Sequence, residues 1–152
     1  MQFIQAMQAW LICMEYGDEK LVAHGEWDKR TTRALTKFQK VEKIHEEQGK
    51  LNDVTLDCMS DDIGGPLDWR DAPLKMQQAA LILAGYTAGG MLCADGVDGP
   101  HTKKAFAQMC KAAHTREEYK SIGELLEAYH EAHPIKLNQK LFDAADFEGL
   151  YR

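Results

Sequence analysis

Residues 95–100, with the sequence DGVDGP, decide how this chain folds. Two glycines close together mark a turn, and Pro100 suits the first turn of a helix, where its missing N–H would be unpaired anyway. A run of apolar residues lies before the turn at 79–84 (AALILA), and Ala105, Phe106 and Met109 follow it at helical spacing. The stretch therefore predicts a helix, a glycine-punctuated loop and a second helix.

The same spacing occurs a second time near the N-terminus. A Gln-x-x-Leu pattern that starts at Gln78 is matched from Gln8, at an offset of 70 residues. The pattern Gly-x-x-Gly-x-x-Thr-x-x-Ala from Gly96 is matched by Gly-x-x-Asp-x-x-Thr-x-x-Ala from Gly25, at an offset of 71. Two matched blocks in the same order predict an internal repeat, with one residue inserted in the intervening loop.

Each copy is expected to contain three helices. Asp28 and Gly99 occupy equivalent positions before the second helix, and both are acceptable N-caps. A third helix is predicted at 54–59 in the first copy, and after a Ser-x-x-Glu capping box at Ser121 in the second. The residues expected on buried faces are Ile4, Met7, Leu11 and Met14, then Ala34, Phe38 and Val41, then Ala105, Phe106 and Met109, and finally Ile122, Leu125, Leu126 and Tyr129.

No segment alternates with the period of two that is typical of strands, so the predicted fold class is all-α. We expect two tandem three-helix bundles, packed together, with an extra C-terminal helix. The predicted boundaries are a first repeat at 1–59, a linker at 60–72 that contains Gly-Gly-Pro, a second repeat at 73–133 and a helical tail at 134–152. The tail would be amphipathic, with Leu137, Leu141 and Ala145 on one side.

The composition is that of a folded protein. Of 152 residues, 45% are hydrophobic and 28% are charged, which is a globular composition rather than a disordered one. The apolar run at 79–84 is far too short to cross a bilayer. The net charge is −6, with 24 acidic and 18 basic residues, so nucleic acid is not an expected partner.

The repeated pattern resembles the peptidoglycan-binding domain found beside many cell-wall hydrolases. That family's pattern is Leu-Gln-x-x-Leu-x-x-x-Gly-Tyr, then Asp-Gly-x-x-Gly-x-x-Thr-x-x-Ala-x-x-x-Phe-Gln, then a glycine or aspartate turn and a final Thr-x-x-x-Leu. The second copy supplies Gly-Tyr at 85–86 and DGVDGPHT at 95–102. The first supplies Phe-Gln at 38–39 and, more loosely, DVTLDCM at 53–59. The resemblance covers residues 1–59 and 73–130 and implies two three-helix modules.

Three departures from the family pattern affect helix ends and loops. Glu15 replaces the glycine before Tyr16, His24 replaces the aspartate before Gly25, and Met-Cys at 109–110 replaces Phe-Gln. Most matched positions are structural, so the resemblance supports the fold more strongly than the ligand. The family also includes modules that act as interaction domains or pro-domains without demonstrable wall binding.

The family's binding mode would place the ligand at the two glycine loops. Backbone N–H groups at a helix N-terminus could hold a carboxylate or a sugar hydroxyl there, and Trp27 could pack on a sugar face. The alternative is that these are ordinary turn and cap residues, with Trp27 covering the core. The predicted ligand-binding residues are Trp27, Asp28, Arg30 and Thr31 in the first copy and Asp98, His101, Thr102 and Lys103 in the second.

Other reactive side chains have simpler interpretations. His130 and His133 lack the HExxH spacing and are expected on an exposed polar helix face rather than on a metal. Asp95 and Asp98 lack the further oxygen ligands of a calcium loop. No nucleophile motif, phosphate-binding loop or dinucleotide fingerprint occurs, so neither enzyme activity nor a cofactor or metal is expected.

The four cysteines show no CxxC and no metal-ligand spacing. We expect reduced, mostly buried thiols, because free cysteine packs as a small hydrophobic residue. A disulfide between distant pairs remains the alternative. The four positions are Cys13, Cys58, Cys93 and Cys110.

The resemblance predicts a non-catalytic protein that binds peptidoglycan or muropeptides, phage-encoded or linked to a wall-lytic system. The alternative is a cytoplasmic adaptor or inhibitor that binds another protein with the same scaffold. The negative charge favours this alternative, because wall polymers are themselves anionic. No membrane partner is expected. The first residues lack the pattern of a signal peptide, so we expect a protein that is cytoplasmic as synthesised, or that acts in a phage virion or after release at lysis.

Overall fold

The computed structural model describes residues 2–45, 48–59, 68–116 and 120–138. Within those ranges no strand forms, and the predicted all-α class is confirmed. An isolated antiparallel bridge joins Ala23 and Ala94. The helices are α1 (Gln2–Cys13), α2 (Lys29–Val41), α3 (Asp53–Cys58), α4 (Leu74–Leu83), α5 (Pro100–Ala112) and α6 (Ile122–Ala132).

Local sequence explains where the helices begin. The side chain of Asp28 accepts a hydrogen bond from the N–H of Thr31 at 2.8 Å and caps α2. The predicted start of α6 forms at Ser121, whose Oγ accepts from the N–H of Glu124 at 3.2 Å and caps the helix. Pro100 lies in the first turn of α5, directly after the N-cap residue. These starts were predictable because each depends on residues within one helical turn.

Four helices end with the same backbone arrangement. After α1, the N–H of Tyr16 bonds to the carbonyl of Leu11 at 3.0 Å, and after α4 the N–H of Tyr86 bonds to the carbonyl of Leu81 at 2.9 Å. This bond closes the last turn and places one residue in the left-handed conformation that favours glycine. The residues in that conformation are Glu15 (φ 63°), Lys43 (φ 60°), Gly85 (φ 95°) and His114 (φ 55°).

Helices α1 and α4 lie antiparallel and form the centre of the molecule. The Sγ of Cys13, at the end of α1, is 3.7 Å from the carbonyl oxygen of Met76 near the start of α4. At the other end, Ala6 and Leu83 line the same cavity. Every residue of α1 from 4 to 13 is buried. Ile4, Met7 and Leu11 are buried as predicted, but burial extends around the helix beyond their face, because α4 covers a further side.

The two glycine loops meet at equivalent positions. The N–H of Ala23 bonds to the carbonyl of Ala94 at 3.4 Å, and the reverse bond measures 3.3 Å. These residues are 71 apart in sequence, which is the offset of the repeated pattern. From α1, the Nε2 of Gln5 donates to the carbonyls of Ala23 at 3.2 Å and Leu92 at 2.6 Å. The loops that carry the predicted site residues are therefore joined directly.

The apolar faces of α2 and α5 largely follow the sequence. Ala34 and Phe38 in α2, and Ala105 and Met109 in α5, are buried as predicted. Val41 is 57% exposed, so its predicted burial is wrong. It is the last residue of α2.

Part of the predicted linker contributes to the core. Trp69 is 1% exposed; its N–H donates to Glu127 Oε1 and its carbonyl accepts from Gln77 Nε2, both at 2.7 Å. Gly123 allows α6 to approach this turn, because a Cβ there would lie 2.5 Å from the Trp69 carbonyl oxygen. The turn at Trp69 thus fixes α6 beside α4.

The remaining boundaries stay predictions. Residues 60–67 of the linker lie outside the described residues, and so do residues 139–152 of the predicted helical tail, with Leu141 and Ala145. The tail is not helical from 134 to 138, where Ile135 and Leu137 are buried against the core.

Candidate functional site

A buried glutamine on α1 holds the first glycine loop in place. The Oε1 of Gln8 accepts from the N–H of Gly25 at 2.9 Å. Its Nε2 donates to the carbonyl of Glu26 at 2.8 Å and to the hydroxyl of Thr31 at 2.9 Å. That hydroxyl in turn donates to Asp28 Oδ1 at 2.7 Å. One side chain therefore fixes the turn, the loop after it and the start of α2.

The second loop is held in the same way by Gln78 on α4. Its Oε1 accepts from the N–H of Gly96 at 2.8 Å. Its Nε2 donates to the carbonyl of Val97 at 2.9 Å and to the hydroxyl of Thr102 at 2.8 Å. The two equivalent loops thus share their supporting hydrogen bonds as well as their spacing.

A third loop, before α3, is held by the same set of hydrogen bonds, made by Gln39 of α2. The glutamine accepts from the N–H of Gly49 at 2.7 Å and donates to the carbonyl of Lys50 and the hydroxyl of Thr55, both at 3.0 Å. In all three loops the glycine has a φ between 82° and 90°. The sequence predicted a turn here but not its likeness to the other two, although Gly-x-x-Asn-x-x-Thr at 49–55 was the available signal.

Thr31 and Thr102, which were predicted to bind the ligand, are part of the hydrogen bonds that hold the two loops. Thr31 is 0% and Thr102 is 2% exposed, and each hydroxyl accepts a hydrogen bond from a buried glutamine. Their side chains face the interior, so any ligand contact at these positions would have to use the backbone.

His24 makes the same turn contact in the first loop that Asp95 makes in the second. Its Nδ1 accepts from the N–H of Glu26 at 2.9 Å, as Asp95 Oδ1 accepts from the N–H of Val97 at 2.9 Å. Because Nδ1 accepts, the ring proton is on Nε2, which donates to Asp28 Oδ2 at 3.0 Å. This departure from the family pattern keeps the turn and adds a link to the N-cap of α2.

The carboxylate of Asp28 accepts hydrogen bonds from the N–H and hydroxyl of Thr31 and from His24. Partial burial works to raise its pKa, but hydrogen bonds from Thr31 and His24 outweigh that effect and hold the pKa below the ordinary aspartate value. The side chain is 37% exposed. A charged, partly exposed carboxylate therefore stands at the N-terminus of α2, where the helix dipole also favours negative charge.

An open groove lies beside this helix start. Trp27 is half-buried against the core, and its Nε1 donates to the hydroxyl of Thr32 at 2.8 Å. The indole covers part of the core, which was the alternative to a ligand-binding role. It also presents a fixed aromatic surface to the groove. The groove is lined by Trp27, Asp28, Lys29, Thr32 and Arg33.

The other predicted site residues are arranged differently. Arg30 does not line this groove and pairs with Asp18 at 3.3 Å. In the second loop, Asp98, His101 and Lys103 are exposed, and Asp98 occupies the position equivalent to Trp27. The structure therefore brings Trp27 and Asp28 together, whereas the second loop offers no equivalent aromatic surface.

The histidines near the end of α6 have structural neighbours. The Nδ1 of His130 accepts from the N–H of Ile135 at 3.0 Å, and its ring lies 6.3 Å from that of Trp69. His133 is exposed, with its ring 5.4 Å from that of Tyr129. Within the described ranges, no group of three or more potential metal-ligating side chains comes together.

All four cysteines are free, as predicted. Cys13 and Cys110 are buried, while Cys58 and Cys93 are half-buried. Burial raises the pKa of the Cys13 thiol, and burial together with the nearby Asp95 carboxylate raises that of Cys93. Neither of these two thiols has the lowered pKa of a reactive cysteine.

No family model matches this chain, and neither does a curated protein or a solved structure. Among the described helices, none combines the length and the apolar character needed to cross a membrane.

Proposed function

We propose that this chain is a non-catalytic protein that binds peptidoglycan or its fragments through the groove beside Trp27. The observation that carries the proposal is the fixed indole next to exposed polar groups at the start of α2. Sugar rings have apolar faces edged by hydroxyls, so they suit an aromatic surface flanked by hydrogen-bonding groups.

The rigidity of the first loop supports binding of a flexible polymer. Gln8 connects Gly25, Glu26 and Thr31, so the groove is formed before a ligand arrives. A preformed site avoids much of the ordering cost of binding, which matters when the ligand itself must be ordered. The resemblance of the repeated pattern to wall-binding modules is a second support for this class of ligand, while the glycines and threonines of that pattern serve to hold the loops.

The test is co-sedimentation of the pure protein with purified bacterial sacculi. We expect saturable pelleting, and we expect Trp27→Ala to weaken it about tenfold, because truncation of an aromatic anchor commonly costs more than 1 kcal/mol. Trp27→Phe keeps an aromatic face but loses the N–H donor, so it should retain most of the binding.

Because Trp27 also packs on the core, the free energy of unfolding of both variants is measured alongside. Equal binding by the Phe and Ala variants, with both folded, would place the ligand elsewhere. A wild-type protein that does not pellet even at low salt would overturn the proposal and leave the protein-interaction module as the function to test.

A further inference from the structure

Helix α2 carries a continuous row of cations on its solvent side. Its 13 residues include five lysines and arginines and no acidic residue. At about 100° per residue, four of the cations fall within a sector of roughly 80° along about 16 Å of helix. We name this row the basic stripe; it consists of the exposed residues Lys29, Arg33, Lys37 and Lys40.

The basic stripe has no acidic partner in the described part of the chain. The fifth cation of α2, Arg30, is the one that forms an ion pair, and it lies off the stripe. Like charges one helical turn apart repel each other, so the stripe costs stability in the free protein. Ion pairs of lysine and arginine among the described residues include Arg30–Asp18, Arg70–Asp68 and Lys120–Glu124.

Helix α5 shows the same polarity in weaker form. It has three lysines and no acidic residue. Lys104 and Lys111 stand at the positions equivalent to Arg33 and Lys40, whereas the other two stripe positions are taken by proline and glutamine. The full row is therefore specific to α2.

The basic stripe is continuous with the Trp27 groove, because Lys29 and Arg33 belong to both. A ligand that packs on Trp27 and extends along α2 would next meet Lys37 and then Lys40. Successive stripe residues at 29, 33 and 37 rise about 6 Å along the helix, so a chain with repeated charges could contact several of them.

We propose that the basic stripe binds the anionic groups of a cell-wall polymer whose sugar lies on Trp27. These groups are the carboxylates of peptidoglycan stem peptides or the phosphodiesters of polymers attached to the wall. The inference rests on the proposed function. The net charge of −6 does not oppose it, because charges further away than a Debye length of about 10 Å in 0.1 M salt are largely screened.

The surroundings of the stripe favour a wall polymer over nucleic acid. Proteins that bind single strands combine a basic track with several aromatic platforms for successive bases. Among the described residues that line the groove, Trp27 is the one aromatic side chain.

The experiment compares two double variants that lower the net charge equally. Arg33→Gln with Lys37→Gln removes the middle of the stripe, and Lys20→Gln with Lys136→Gln removes two exposed cations elsewhere. Binding to intact sacculi is measured over a range of salt. We expect the stripe variant to bind roughly fivefold more weakly and with a shallower salt dependence, and the control to bind like wild type.

One further ligand identifies the anion. Sacculi freed of phosphodiester-linked polymers with hydrofluoric acid should lose the stripe-dependent binding if phosphodiesters are the ligand, and keep it if carboxylates are. Equal binding by both double variants would overturn the role of the stripe while leaving the proposed function intact. If the wild-type protein never pellets, both the role of the stripe and the proposed function are contradicted. Tighter binding to duplex DNA than to sacculi would overturn the wall polymer as the partner.

Discussion

Gln8, Gln39 and Gln78 each satisfy three polar groups where a helix meets a loop. In each case the amide oxygen accepts one hydrogen bond and the amide nitrogen donates two, which is the full donor capacity of the group. A buried polar group that loses its partner costs about 1–3 kcal/mol, so these side chains matter far more to stability than their number suggests.

Replacing one of them should be costly. We expect Gln8→Met to lower the free energy of unfolding by about 3 kcal/mol, because the N–H of Gly25 and the hydroxyl of Thr31 lose a buried side-chain partner. Urea unfolding measures the effect. Gln2→Met, at an exposed position of the same helix, is the matched control and should change stability by less than about 0.5 kcal/mol. Similar losses for both variants would contradict the role of the buried amide.

Asp28 gives the chain a sensitivity to acid that can be measured. Its folded-state pKa lies below the unfolded value of about 3.9, so its charge contributes stability above that pH. This contribution is lost as the pH falls through the folded-state pKa. Asparagine is as good an N-cap, and Asn52 already caps α3 in this chain. Asp28→Asn should therefore show less loss of thermal stability than wild type between pH 5 and pH 3, roughly the range in which aspartate titrates. Parallel pH profiles would contradict this.

The helix caps could be predicted from the sequence, whereas the glutamine contacts could not, because the partners of the glutamines lie far away along the chain. Asp28 and Ser121 cap helices through partners three residues away, which a sequence shows directly. Gln8 instead bonds to residues 17 to 23 positions away. Its place in a repeated pattern marked it as significant, but only the packed structure shows which groups it satisfies.

At the scale of whole helices, α1, α2, α4 and α5 share one kind of end, in which the last turn closes on a residue in the left-handed conformation. Glycine fills this position after α4, and other residues accept the strain after α1, α2 and α5. Gly85 has no neighbouring atom within 4 Å of an added Cβ, so its backbone conformation alone explains the need for glycine.

Exchanging residues at these ends should change stability in opposite directions. Glu15→Gly is expected to raise the free energy of unfolding by about 1 kcal/mol, and Gly85→Ala to lower it by a similar amount. Thermal or urea unfolding of the two variants measures both. Glu15→Ala removes the charge but keeps the strain, so it should recover only a small part of the gain. An equal gain from Ala and Gly at position 15 would attribute the effect to charge instead.

Periodicity predicted the helices but not what covers them. The apolar residues of α6 and the buried positions of α5 followed from spacing, since a helix needs one face against a core. Burial of α1 on further sides, and exposure of Val41, depend on which helix lies alongside. That information is tertiary, and the spacing within one helix does not contain it.

In the molecule as a whole, the contact between α1 and α4 holds the two halves of the chain together. Together with the Ala23–Ala94 bridge, it joins the segment that contains α1 to α3 with the segment that contains α4 to α6. A bridge between equivalent residues is a self-complementary contact, of the kind that two identical chains make across a twofold axis.

The first segment made alone should therefore associate with itself. We expect a chain of residues 1–59 to form a dimer, with α1 of a second copy covering the side that α4 covers in the full chain, because a helix buried on several sides is not stable in water when exposed. Sedimentation over a range of concentrations tests this. A folded monomer at all concentrations would show that α1 does not need α4.

Joining both segments in one polypeptide has an evolutionary consequence. In a symmetric dimer every mutation appears on both sides of the axis, so the two loops cannot differ. Here a mutation alters one loop and leaves its counterpart as it was. The chain has Trp27 on one side of the Ala23–Ala94 bridge and Asp98 on the other, so under the proposed function the first loop would carry the specificity while the second maintains the scaffold.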